Sequence, residues 1–305
     1  MRLRVAAVLL AYCLTGCGSN DYARREAETQ AAQRATLTQQ IESGHLRDTA
    51  LAQAHLDRAN SWAQSGDFAR ALADCDQAIA AAPTFPEAYF ARAKLRLQSS
   101  DLAGAEADAS EVVALLPNYP APRLYRAQIW AMQGEDGRAI AAYDEELARD
   151  PNLWAALVFR GVTLAKGGQD DRALADLDHG IGIASAEMAN KSAMNHSPPG
   201  TIVITGNLEA AAATLNDMMI EAYGVRARGK VLFRKGLYER ALVDLDESED
   251  ESLVYRGLSA MALGRCRDGY GDLRRASSKQ GGTVEQTLAQ HKDFIDGTKC
   301  ADYTF

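Results

Sequence analysis

The stretch Arg58-Ala59-Asn60-Ser61-Trp62-Ala63-Gln64-Ser65-Gly66-Asp67-Phe68-Ala69-Arg70-Ala71-Leu72-Ala73-Asp74 decides the fold. Its turn, Gly66-Asp67-Phe68, is matched by Ser100-Asp101-Leu102, Gly134-Glu135-Asp136 and Gly168-Gln169-Asp170, whose leading residues are each 34 apart. Two further turns follow, at Gly236-Leu237-Tyr238 and Gly264-Arg265-Cys266. A fixed period of this length marks a repeat architecture, in which each unit buries its apolar face only against its neighbours.

Five residues past each turn start stands a small residue: Ala71, Ala105, Ala139, Ala173, Ala241 and Gly269. Seven before it stands another: Ala59, Ala93, Ala127, Gly161, Gly229 and Gly257. Only small side chains let two helices approach closely, so these columns are the expected contact between the helices of each unit. Pro83, Pro117 and Pro151 close the first three units, because the proline ring cannot continue a helix. Together these features resemble the tetratricopeptide repeat (TPR), a helix-turn-helix of 34 residues. The resemblance covers residues 52 to about 184 and 222 to about 277, and implies an all-α, TPR-type α-solenoid of helix-turn-helix repeats. Two features depart from the family. The usual first-helix Trp is replaced by His55, Tyr89, Arg123, Leu157 and Val225, and units four to six lack the closing proline.

Every unit carries an arginine just before its first small residue: Arg58, Arg92, Arg126, Arg160, Arg228 and Arg256. Sixteen residues on stand Asp74, Asp108, Asp176, Asp244 and Asp272, with Ala142 the one departure. The register predicts a ladder of ion pairs between the two helices of each hairpin, since the planar guanidinium matches a carboxylate. The other reading, a basic stripe for acidic ligands, is opposed by the matched acids. The doublets Asp74/Asp76, Asp176/Asp178 and Asp244/Asp246 suggest metal or acid/base pairs, but residues two apart on a helix diverge and cannot converge on one ion. His45, His55, His179 and His291 show no metal spacing either, and no cofactor is expected.

The chain of 305 residues is 47% hydrophobic and 24% charged, an ordinary folded composition. Its net charge of −8 and lack of a basic stripe speak against nucleic acid.

The N-terminus reads Met1-Arg2-Leu3-Arg4, then an apolar run from Val5 to Leu14 that is too short to span a bilayer. Leu14-Thr15-Gly16-Cys17 resembles the lipobox of bacterial lipoproteins. The resemblance implies a signal peptide over 1–16 and lipidation of Cys17, with palmitate-type chains holding the protein on a membrane at about 0.8 kcal/mol per buried methylene. Gly18, where an Asp would suggest inner-membrane retention, implies by the same likeness the periplasmic side of the outer membrane. Cys13 leaves with the signal and Cys17 is the anchor, so Cys75, Cys266 and Cys300 remain. In an oxidising periplasm a Cys266–Cys300 disulfide would close a loop of about 35 residues, worth roughly 3 to 4 kcal/mol. Cys75 falls on a core position.

Residues 17–50 read as a tether and an N-terminal helix, free to reach from the membrane or to fold back into the groove. Units one to four take 51–185 and units five and six 222–278. Residues 186–221, which include Ser197-Pro198-Pro199-Gly200, are either an insert or a decayed repeat. From Asn207 a long first helix of unit five is expected, and after Gly281-Gly282 one helix, Thr283 to about Ile295, is expected to cap the array within a tail of 279–305.

Family geometry places Leu56, Asn60, Phe90, Lys94, Leu97, Leu124, Gln128, Met132 and Val158 on a concave groove, continued by the more cationic and aromatic Tyr223, Arg226, Lys230, Phe233 and Arg234. The resemblance implies a protein or peptide ligand there. The apolar positions could instead be covered by the N-terminal helix or by a second copy of the chain. Function then divides between a non-enzymatic scaffold or adaptor of the cell envelope, serving assembly, secretion or a protease, and an envelope hydrolase built on 186–206. Ser192 and His196 are the only neighbouring nucleophile and base there, and no acid orients them, so no catalytic residue is assigned.

Overall fold

The computed structural model describes residues 18–194, 222–245 and 250–301, and every regular element among them is a helix. The chain forms two compact units, one through Ile129 and one from Trp130 on. The first contains α1 (Gly18–Glu42), α2 (Asp48–Gln64), α3 (Phe68–Ala81), α4 (Pro86–Gln98), α5 (Leu102–Leu115) and most of α6 (Pro120–Gln133). The second holds α7 (Asp136–Arg149), α8 (Trp154–Lys166), α9 (Asp170–Met194), α10 over 222–234 and α11 (Tyr238–Asp244). It ends with α12 (Asp250–Ala262), α13 (Cys266–Lys279), α14 (Val284–Gln290) and α15 (Lys292–Asp296).

Each hairpin turns where the sequence repeats its glycine. The turn residue is left-handed at Gly66 (φ 80), Gly134 (φ 86) and Gly168 (φ 72), and the one non-glycine in the column, Ser100, adopts the same region (φ 60). Asp67 and Asp101 then cap the second helices, accepting from the backbone N–H of Arg70 at 3.1 Å and of Gly104 at 2.9 Å. The small columns meet as their size predicts. In the sixth unit both are glycine, and a Cβ built on Gly257 would stand 2.8 Å from the Gly269 carbonyl oxygen, so α12 and α13 touch backbone to backbone. Around each such contact sits a small apolar cluster, such as Ala59, Ala71, Cys75 and Leu95. Cys75 is a free, buried thiol, and that burial pushes its pKa up to about 12.

Three segments differ from the sequence reading. Gly18 is already helical, so the expected tether is part of α1, and α1 lies against α2 in the place of a preceding unit's second helix. There Thr38 accepts from Arg58 Nη1 at 3.0 Å, and Arg34 reaches Ser61 while stacking 4.4 Å over the Trp62 ring.

The fourth unit's second helix runs on to Met194, and α10 packs straight onto it. Arg228 bonds Asp178, 50 positions earlier, where the equivalent bonds Arg92–Asp76 and Arg160–Asp144 span 16. Arg228 and Asp178 thus make across α10 and α9 the bond that adjacent hairpins make. The start of the expected long helix, from Asn207, lies outside the described residues.

The tail forms two short helices instead of one. Thr283 and Gln286 make a reciprocal capping box that opens α14, and the chain breaks at His291 (φ −111) before α15. α14 follows α13, with Ser277 Oγ 2.7 Å from Thr287 Oγ1, whereas α15 doubles back onto α12 and brings Ile295 against Leu258 and Met261.

Candidate functional site

The arginine column is structural. Arg58, Arg92, Arg160, Arg228 and Arg256 each grip the buried aspartate sixteen residues on with Nε and Nη2, at 2.6–3.0 Å. The free corner of the guanidinium, Nη1, reaches back to the preceding hairpin: Arg92 to Asp76 at 2.6 Å, Arg160 to Asp144 at 2.5 Å and Arg228 to Asp178 at 3.0 Å. Arg92, Arg160 and Arg228 thus tie their own two helices together and join them to the unit before. This explains the acid doublets, since Asp74 and Asp76, or Asp176 and Asp178, serve two different arginines. Hydrogen bonds donated to Asp108 outweigh burial and hold the Arg92 guanidinium above its ordinary pKa. The backward bond could have been found in the sequence, because Asp76 and Asp144 stand sixteen before Arg92 and Arg160.

Among the described residues an open cleft lies between the first helices of units one and two. Leu56, Asn60 and Ala63 of α2 face Glu87, Phe90, Ala91, Lys94, Leu95 and Gln98 of α4 across a cleft of about 330 Å³. Four of the expected groove residues, Leu56, Asn60, Phe90 and Lys94, meet here. Ala63, Glu87, Ala91, Leu95 and Gln98 complete the lining; they stand beside the expected positions on the same helix faces. The Lys94 ammonium sits 4.5 Å over the Phe90 ring, and its apolar surroundings lower its pKa. Among the described residues no acid pairs with it. Tyr125 extends the aromatic wall, its ring centroid 4.7 Å from that of Phe90.

The other expected groove positions divide. Leu97 turns into the core against Ala105, Ala109 and Ile129, and Leu124 is buried. Val158 is fully buried because Gly180 and Gly224 let α9 and α10 close over it. Gln128 is half-buried, while Met132 and Tyr223 are exposed. The stretch read as cationic is neutralised. Lys230 pairs with Glu251 at 2.5 Å, and Arg234 donates to both oxygens of Asp170. Those hydrogen bonds hold the Asp170 carboxyl below its usual pKa. Arg226 is half-buried, and Phe233 is covered by an aromatic cluster.

Cys266 and Cys300 form a disulfide with Cα atoms 5.4 Å apart. Cys17, the Ser192 side chain and His196 lie outside the described residues, and no group of acid, histidine and cysteine side chains suited to a metal occurs within them. No described helix is long and apolar enough to cross a membrane.

No protein-family model matches the sequence, and no curated protein matches it. Solved structures do. The Cut9–Hcn1 hetero-tetramer of the APC/C aligns with a TM-score of 0.60 at 12% identity, over 89% of this chain and 46% of that one. PilW, described as a widely conserved type IV pilus biogenesis factor, aligns with a TM-score of 0.50 at 16% identity, over 78% and 98%. A tetratricopeptide repeat protein from Parabacteroides merdae ATCC 43184 aligns with a TM-score of 0.44 at 16% identity, over 80% and 97%. At such identities the likeness is one of fold. The first two, together with the 34-residue hairpins, make the fold an all-α, TPR-type solenoid.

Proposed function

We propose that the protein is a non-enzymatic scaffold of the bacterial cell envelope that holds an extended or helical segment of another protein in the cleft between α2 and α4. The cleft carries the reading: it is open, mostly apolar, and edged by Asn60, Lys94 and Gln98, which can orient a peptide by hydrogen bonds and charge. The helix that could have filled it, α1, packs elsewhere on α2 and contributes no lining residue. Location rests on the sequence alone. Leu14-Thr15-Gly16-Cys17 supports a lipid anchor at Cys17 and, with Gly18 behind it, the periplasmic side of the outer membrane.

A photoreactive amino acid placed at Asn60 or Phe90 in intact cells is expected to give discrete protein adducts. The same group at Val243, 84% exposed on α11, is expected to give none. Lys94→Glu should remove the adducts while leaving the helical circular dichroism unchanged. Equal crosslinking from all three positions would refute the cleft as the site. Incorporation of an alkynyl palmitate that persists after Cys17→Ser would refute the anchor.

A further inference from the structure

The cleft of units one and two is defined by position along the first helix. Counting from the small residue, Leu56 and Phe90 are three before it, Ala91 is two before, Asn60 and Lys94 are one after, and Ala63 is four after. In units five and six the same positions are Arg226, Ala227, Lys230 and Phe233 around Gly229, and Val254, Tyr255, Leu258 and Met261 around Gly257. Phe233, Val254, Leu258 and Met261 are covered by the tail. Leu258 and Met261 are 2% and 1% exposed, beneath Ile295 and Cys300 of the chain's own tail. Phe294 enters an aromatic box, its ring centroid 5.2 Å from Phe233 and 6.2 Å from Tyr238, with Tyr255 5.1 Å from Phe233. The tail thus occupies a face equivalent to the one that is open in units one and two, and the Cys266–Cys300 bond fastens it there.

We propose that the first-helix face of units five and six is a second peptide site, selective for an aromatic residue followed by an aliphatic one, which the chain's own Phe294-Ile295 keeps closed until the Cys266–Cys300 disulfide is reduced. The inference extends the proposed function to this face and stands apart from the α2/α4 cleft, whose crosslinks do not depend on the tail. Anchored at both ends, the tail faces its site at an effective concentration on the order of millimolar, which an outside peptide cannot match. A dithiol, small or carried by a protein, removes one anchor. Its thiolate attacks the half-exposed Cys266 sulfur, the S–S bond breaks, and Cys300 leaves as a thiolate that takes up a proton. The second sulfur of the dithiol then displaces Cys266, so the protein gains two thiols and the dithiol becomes a disulfide. The two short helices α14 and α15, of seven and five residues, have little reason to hold their place without that bond.

The probe is a fluorescein-labelled peptide with the sequence of residues 290–301, its Cys300 replaced by serine, titrated into the full mature chain and read by anisotropy. Binding to the dithiothreitol-reduced protein is expected at least tenfold tighter than to the oxidised protein, and tighter again when the reduced protein carries Phe294→Ala, which weakens the competing tail but leaves the box intact. A peptide with alanine in place of Phe294 should not bind, nor should the native peptide bind Phe233→Ala protein. Equal affinity for oxidised and reduced protein, no binding to reduced Phe294→Ala protein, or indifference to the peptide's phenylalanine would overturn the proposal. Loss of the helical signal on reduction would do the same, because the tail would then be part of the last hairpin and not a removable occupant.

Discussion

Arg160 serves two carboxylates that are not equal. Asp176, its partner within the hairpin, has a side chain 12% exposed, whereas Asp144, its partner in the hairpin before, is 49% exposed. Removing the buried acid strands the guanidinium among apolar neighbours, so Asp176→Ala is expected to lower stability by about 3 to 5 kcal/mol. Asp144→Ala, whose partner keeps both its other bonds and its access to water, should lower it by at most about 1 kcal/mol. Urea midpoints of the two variants measure the difference, and similar losses would show that the ladder does not hold the hairpins together. The inner pair was legible because arginine and aspartate recur at a fixed interval in five units. The backward bond is not legible within one unit, because its carboxylate belongs to the hairpin before. For the same reason Lys230 and Arg234 read as a free cationic face, when Glu251 and Asp170, which neutralise them, belong to neighbouring units.

The junction of α9 with α10 carries this logic to whole helices. It is tied by Arg228 to Asp178, by Arg234 to Asp170 and by Lys235 to Asp171. Asp170 has a folded-state pKa below its unfolded value, so its charge stabilises the fold above the unfolded pKa, and that contribution is lost as pH falls through the depressed one. Asp170→Asn should therefore unfold at lower urea than the native chain at pH 7. The gap should shrink as pH falls below about 4 and close once the native carboxylate is protonated. Midpoints taken from pH 7 to pH 2.5 test this, and a gap independent of pH would assign the loss to packing. Helices with clean periods were legible from sequence: turns, small columns and closing prolines all point the same way from α2 to α8. The tail was not, because Val284, Leu288, His291 and Ile295 keep a helical spacing that reads as one helix, and nothing local says that the chain breaks at His291 or that Phe294 and Ile295 bury against α10 and α12. Nor could spacing along one helix reveal that Val158, on the same column as Leu56 and Phe90, is closed over by glycines from two other helices.

For the chain as a whole, a period in the sequence is not always a hairpin in space. Gly168 and Gly236 are separated by 68 residues, twice the repeat, which is equally consistent with a lost unit and with an insertion. The pairing of Arg228 with Asp178 is the bond that adjacent hairpins make, so α10 follows α9 in the arginine register under either history. The stack thus follows the arginine register and not the residue count. Removing residues 188–221 restores a spacing of 34 between the two glycines and leaves every described ion pair of the α9–α10 junction in place. The shortened chain is expected to unfold in one cooperative transition, with a thermal midpoint within about 5 °C of the parent, a shift that corresponds to about 1 to 2 kcal/mol for a chain of this size. Arg228→Ala should destabilise the shortened and full-length chains alike. If the deletion instead abolishes the cooperative transition, or if Arg228→Ala becomes silent in the shortened protein, then the additional 34 residues help to form the junction and the hairpins are not stacked as the arginine register requires.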